Sequence, residues 1–257
     1  MYRNFIQKHK QFGSIPVFAG GVWTWLGMCT HYSRTFRCSE AALATCKEEG
    51  IREVFITSWG DNGAENNIWS ALPGLQFFAE HAYMLDFDQS KYERRLEFCT
   101  NIPLDHYLII EKLDDIAGMD IDPLDFSNPS KYLLWQDVLL GLFDRHVEGL
   151  ALAEHYKLLE GEISKRMDCC SISRRVLELP SKLCGVLGMK ADMGIRLKKA
   201  YDSADGEMLS FIVDQEIPEL LVRLEELQET HYKLWMNAYK SFGWEVLDLR
   251  YGGELLD

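Results

Sequence analysis

Apolar residues follow two different rhythms along this chain, and the change between them divides it. Over residues 14–85, short unbroken apolar runs alternate with longer amphipathic stretches. Val54, Phe55 and Ile56 form a β-branched and aromatic run entered directly from Gly50. The run is too brief for a helix and predicts a fully buried strand of a parallel sheet. SIPVFAGGVWTW (14–25) carries a similar run, Ile15 to Ala19, followed by Gly20 and Gly21, a pair expected to form a tight strand exit. Between the two runs, RCSEAALATCKEE (37–49) has helix-forming composition, an apolar face through Ala42, Leu43 and Cys46, and Gly50 as its stop. NNIWSALPGLQFFAEHAYML (66–85) predicts a second helix, with Ser70 as N-cap and Pro73 in the first turn. Residues 14–85 therefore read as two consecutive β/α units.

Beyond Leu85 the rhythm becomes helical throughout. Residues 92–98, 104–118, 147–167, 174–187 and 189–201 all predict amphipathic helices. The longest covers 218–239, with Leu220, Leu224, Leu227, His231 and Leu234 along one stripe and Glu225, Glu226 and Glu229 as a solvated face. Loops rich in Asp, Pro, Ser and Gly separate these helices, notably DIDPLDFSNPSK (120–131) and SADGE (203–207). The expected class is mainly α with a partial α/β segment. Two strands are too few, because a parallel sheet needs cover on both faces and a stable sheet needs about three strands or more. Either the C-terminal WEVLDLRYGG completes a short sheet, or the chain is one part of a longer polypeptide.

Composition narrows the function classes. An apolar content of 47% with 12% aromatics is ample for a packed core over 257 residues. No run approaches the roughly 18 unbroken apolar residues of a membrane helix, and MYRNFIQKHK has no apolar core to serve as a secretion signal. Seven cysteines without framework spacing fit reduced thiols in a cytoplasm. A net charge of −13 argues against nucleic acid as a partner and leaves a neutral or cationic small ligand as the better candidate.

The candidate chemistry gathers where the second run ends. Trp59 and Asp61 fall at the carboxyl end of that strand, where α/β architectures hold ligands. An indole face and a carboxylate two residues apart suit a sugar, whose C–H face lies on the ring while adjacent hydroxyls donate to the acid. A core tryptophan beside a helix-capping Asp fits the same residues equally well. Trp23 and Trp25 follow the first run in the same way. No GxSxG, HExxH or glycine-rich phosphate loop is present, and His106, His146, His155 and His231 are spread singly along helices. No metal or cofactor is therefore expected.

GGVWTWLG and VFITSWGDNGAENNIWSALPGLQFFAEHAY resemble the last two β/α units of the catalytic barrel in glycoside hydrolase family 20, the N-acetyl-β-hexosaminidases. NPSKYLLWQDVLLGLFD and FGWEVLDLRYGG are similar to the helical C-terminal domain found in one form of that family, so the resemblance covers nearly the whole chain. It implies strands seven and eight of a (β/α)8 barrel over residues 1–85 and an α-helical domain over 86–257. Trp59 would then wall the pocket for a terminal N-acetylhexosamine, Asp61 would accept from its ring hydroxyls, and Trp23 and Trp25 would add aromatic lining.

Family members often carry a second Asp where this chain has Asn62, and Glu65 reads as the first acidic residue of the following helix. The family's adjacent Asp-Glu pair stands at the fourth strand, where Glu is the general acid, Asp orients the acetamido group and the acetamido oxygen is the nucleophile. The adjacent acids here, Glu48-Glu49, Asp114-Asp115 and Glu225-Glu226, sit in or at the ends of helices as solvated charge. No catalytic residue is assigned, and the chain alone is expected to be inactive. The implied partners are N-acetylglucosamine- or N-acetylgalactosamine-terminated glycans, the missing N-terminal barrel segment, and a second copy, since family members are often dimers. The alternative is a helical carbohydrate-binding or interaction protein that kept part of a barrel without its chemistry.

Overall fold

Phe18–Val22 (β1) and Val54–Ser58 (β2) pair in parallel, Phe18 opposite Val54 and Val22 opposite Ser58, in a computed structural model that describes residues 1–119 and 128–256. Tyr2–Lys10 (α1) precedes them, Tyr32–Glu48 (α2) joins them, and Leu72–Tyr83 (α3) follows. Helix α2 packs on β1, on α3 and on α1, burying Ala42, Leu43 and Cys46 as its composition predicts. Gly50, at φ +71°, ends it in the left-handed region that glycine adopts freely. The strand, helix, strand, helix order is thus the one expected, but several details differ.

Strand β1 begins at Phe18 rather than Ile15, because Pro16 has no N–H to give a ladder; the first bond runs from Phe18 N to the Glu53 carbonyl. Neither strand is fully buried. Helices cover one face only, so Phe55 stays 50% exposed and Ala19 is exposed beside it. Gly20 and Gly21 lie within the strand instead of forming its exit. A Cβ at Gly20 would stand 2.7 Å from the Phe78 ring, and one at Gly21 2.9 Å from the Trp25 ring, so the pair admits close approach on both sides. Ahead of α3, a short 3₁₀ turn (Ile68–Ala71) is capped by Asn67, whose Oδ1 accepts from Trp69 N. Ser70 is not the cap; its hydroxyl is buried among Asn66, Asn67 and Thr30.

The remaining chain is helical: Gln89–Thr100 (α4), Leu104–Leu108 (α5), Pro129–Trp135 (α6), Asp144–Val147 (α7), Leu152–Cys169 (α8), Arg174–Lys190 (α9), Met193–Asp202 (α10), Gly206–Phe211 (α11), Ile217–Ala238 (α12) and Glu245–Leu256 (α13). Of the loop expected at 120–131, positions 120–127 lie outside the described residues. Helix α9 is the hub, packed against α6, α8 and α12 and burying Val176, Leu177, Leu183 and Leu187. Helix α12 buries Leu220, Leu224, Leu227 and His231 along the predicted stripe. WEVLDLRYGG is no third strand. Leu247 and Tyr251, four apart, are buried on one face of α13, and Trp244, just before its first residue, is buried with them.

One continuous core runs from Met28, Cys29, Tyr32 and Phe77 into the helices. Asp114 belongs to it rather than to solvent: only 4% exposed, it accepts from Ser130 N at 2.9 Å and from the Cys29 thiol at 3.0 Å. Burial raises its pKa, with those bonds opposing the shift. All seven cysteines are free thiols. No helix among the described residues is long and apolar enough to cross a membrane.

Candidate functional site

The carboxyl ends of β1 and β2 open onto a cavity of about 420 Å³ that is lined by Trp23, Trp25, Phe55, Thr57 and Trp59, together with Gly21 of the strand floor. Three of the four residues singled out in the sequence therefore share one space. Trp59 leaves β2 as a residue 56% exposed. Two hydrogen bonds in series fix it: Trp59 Nε1 donates to Thr57 Oγ1 at 2.8 Å, and that hydroxyl donates to the Gly20 carbonyl at 2.8 Å. From the segment that follows β1, the Thr24 hydroxyl donates to the Trp59 carbonyl at 2.8 Å and meets Ser58 Oγ at 3.0 Å. The two strand ends are thereby tied together, and an exposed ring is held in one orientation before any ligand arrives.

Trp23 and Trp25 pack with ring centroids 4.7 Å apart, and the Arg34 guanidinium lies 4.1 Å from the Trp23 centroid. Trp23 is thus a supporting ring, whereas Trp25 rests over Gly21 at the cavity floor. Tyr2 closes the far side; burial, with Cys38 beside it, pushes its phenol up to about 12.

Asp61 stands apart from the three tryptophans. It opens a 3₁₀ turn, Asp61–Gly63, is exposed, and is not among the residues lining the cavity. That turn is unusual in its backbone. Asn62, Gly63 and Ala64 have φ of +54°, +104° and +50°; glycine adopts such values freely and asparagine tolerates them, so the strain falls on Ala64.

What holds the turn comes from the helical half. Glu65, read from the sequence as an ordinary first-turn acid, is 2% exposed and sits at the centre of a polar cluster. Lys131 Nζ lies 2.6 Å from its carboxylate, Trp135 Nε1 donates to it at 2.7 Å, and Arg250 pairs with it directly. The carbonyl of Glu65 is hydrogen-bonded to the His231 ring, whose Nδ1 lies 3.0 Å from the Tyr251 hydroxyl. Arg250 also donates to the Asn62 carbonyl at 3.0 Å and to Asn62 Oδ1 at 2.9 Å. Asn62 therefore uses its acceptor toward the guanidinium, a role that needs no negative charge.

The first strand-end loop is held similarly. Glu111 accepts from Ser33 N at 3.2 Å and pairs with His31 at 2.8 Å, while Asn128 Nδ2 donates to the Leu26 carbonyl. Burial would raise the Glu111 pKa, but the bonds from His31 and Ser33 outweigh it and lower the value. Sequence reasoning missed Lys131, Trp135 and Arg250. The available signal was a lone cation within each of two apolar stretches, NPSKYLLW and VLDLRYGG, on the same chain as an acid following a strand end.

Residues 105–256 match the family model described as the Glycoside Hydrolase 20C C-terminal domain. Comparison with curated proteins gave no match.

Proposed function

This chain belongs to glycoside hydrolase family 20 through its 20C C-terminal domain, and from that membership we propose that its strand ends form one wall of a pocket for a terminal N-acetylhexosamine. On this reading the two β/α units are strands seven and eight of a (β/α)8 barrel over residues 1–85, and residues 86–257 form its helical domain. The open face carrying Ala19 and Phe55 is then the inside of the barrel, where further strands would pack. Those strands, and the acidic pair that does the chemistry, would come from polypeptide other than these residues. The reaction is removal of N-acetylhexosamine from a β-glycoside, with the substrate's acetamido oxygen as nucleophile, which is an exception to the usual two-carboxylate geometry.

Within that reaction this chain binds and orients. Trp59 offers a flat apolar face to the sugar ring, Trp25 and Trp23 shape the space beneath, and Asp61 accepts from ring hydroxyls. The observation that carries the reading is Trp59 itself: a large ring more than half exposed, yet locked by two hydrogen bonds at the mouth of an aromatic cavity. Exposed apolar residues are ordinary on a protein surface, so the weight rests on the bonds that fix this ring beside two other tryptophans: a binding site gains from an aromatic platform fixed in advance. The free thiols accord with a reducing cytoplasm as its setting.

Titration of the purified chain with N-acetylglucosamine, followed by tryptophan fluorescence, tests this. Trp59→Ala should weaken binding by about 1–3 kcal/mol, which is about 5- to 150-fold in Kd. An unchanged Kd would remove Trp59 from the pocket.

A further inference from the structure

Three successive residues with positive φ, ending on an alanine that does not favour it, make Asn62–Ala64 a turn whose conformation needs support from outside. The restraint comes from Arg250 in α13, 188 residues away in sequence from Asn62. The planar guanidinium addresses the turn through two nitrogens at once, Nη1 to the Asn62 carbonyl and Nη2 to Asn62 Oδ1, while also pairing with Glu65. It lies so close that a Cβ at Gly63 would stand 2.9 Å from Nη1. Glu65 is in turn fixed by Lys131 and Trp135 of α6, so the guanidinium is itself held at one end.

We propose that Arg250 is a positioning residue: through it, the helical domain sets the conformation of the 59–65 loop in which Trp59 and Asp61 meet their ligand. The inference rests on the sugar-pocket reading for what the loop does, but not for how the loop is held. It gives the helical domain a part in binding although α13 does not line the cavity.

The test uses the full chain with Arg250→Met and Arg250→Lys, reading amide hydrogen exchange over residues 60–64 and titration with N-acetylglucosamine. Arg250→Met should speed exchange in that turn by about tenfold or more while leaving helices α8 and α9 at wild-type rates. Arg250→Lys should fall between, because an ammonium can keep Glu65 but cannot reach both Asn62 acceptors. Binding of N-acetylglucosamine should weaken by about tenfold in the methionine variant. Wild-type exchange in the turn, or acceleration spread evenly over the whole chain, would overturn the proposal, as would a loosened turn with unchanged sugar affinity. A loosened turn in a chain whose wild type does not bind N-acetylglucosamine would support the positioning role and sink the sugar-pocket reading instead.

Discussion

Glu65→Ala should lower the unfolding free energy by about 3–5 kcal/mol, the expected cost of removing one partner from a buried ion pair. Its side chain is 1% exposed and that of Lys131 only 9%, so loss of the carboxylate leaves an ammonium with little water to replace it. Trp135 Nε1 loses its acceptor in the same step. Arg250, at 27% side-chain exposure, can turn partly to solvent and contributes less to the penalty. Chemical denaturation measures the effect. The double variant Glu65→Ala with Lys131→Met should recover part of the loss, since it removes the stranded charge together with its partner. A cost below about 1 kcal/mol for the single variant would show that the cluster is solvated rather than buried.

Acid should destabilise the chain through His231. Burial holds this imidazole down at about 4, from its ordinary 6.5, and the bond to the Glu65 carbonyl opposes the shift only in part. An unfolded chain takes up the proton near pH 6.5, whereas the folded one resists until about 4, so protons favour the unfolded state between those values. The stabilisation is therefore complete above pH 6.5 and is lost as the pH falls toward 4, by about 3 kcal/mol in all. His81 and His106 are also lowered by burial and act in the same direction, so the effect of His231 is the difference between wild type and His231→Gln. Denaturation midpoints across pH 4–7 should converge for the two proteins as the pH falls. Parallel profiles would mean that the ring titrates normally in the fold.

Much of the architecture was legible because it is written locally. The Gly50 stop, Pro73 in the first turn of α3 and the buried stripe of α12 each depend on residues within a few positions of one another. The misreadings share a different cause. A short apolar run signals a strand but not how many layers cover it, so β2 reads as buried from the sequence and is half open in the fold. WEVLDLRYGG offers alternation that suits a strand, yet α12 supplies a surface that Leu247 and Tyr251 meet when spaced on a helix, with Trp244 packing at its start.

The candidate site was legible to the same extent. Three tryptophans at two strand ends could be read from position alone, and they do share a cavity. The setting of Glu65 could not, because its partners lie on α6 and α13, as far as 185 residues away, and no spacing rule links an acid to cations at such separations. Asp114 likewise reads as solvated charge, because a pair of adjacent acids gives no hint that one of them accepts from the first turn of a distant helix.

The two side-chain-free positions of β1 leave a partition only one peptide thick between the tryptophan cavity and the Phe78 layer behind it. A wall that thin has no side chains of its own with which to absorb a change on either side. The shape of the cavity is then a joint property of the rings in front and the helix behind, and drift in the residues of α3 would retune what fits without altering any residue that a ligand touches.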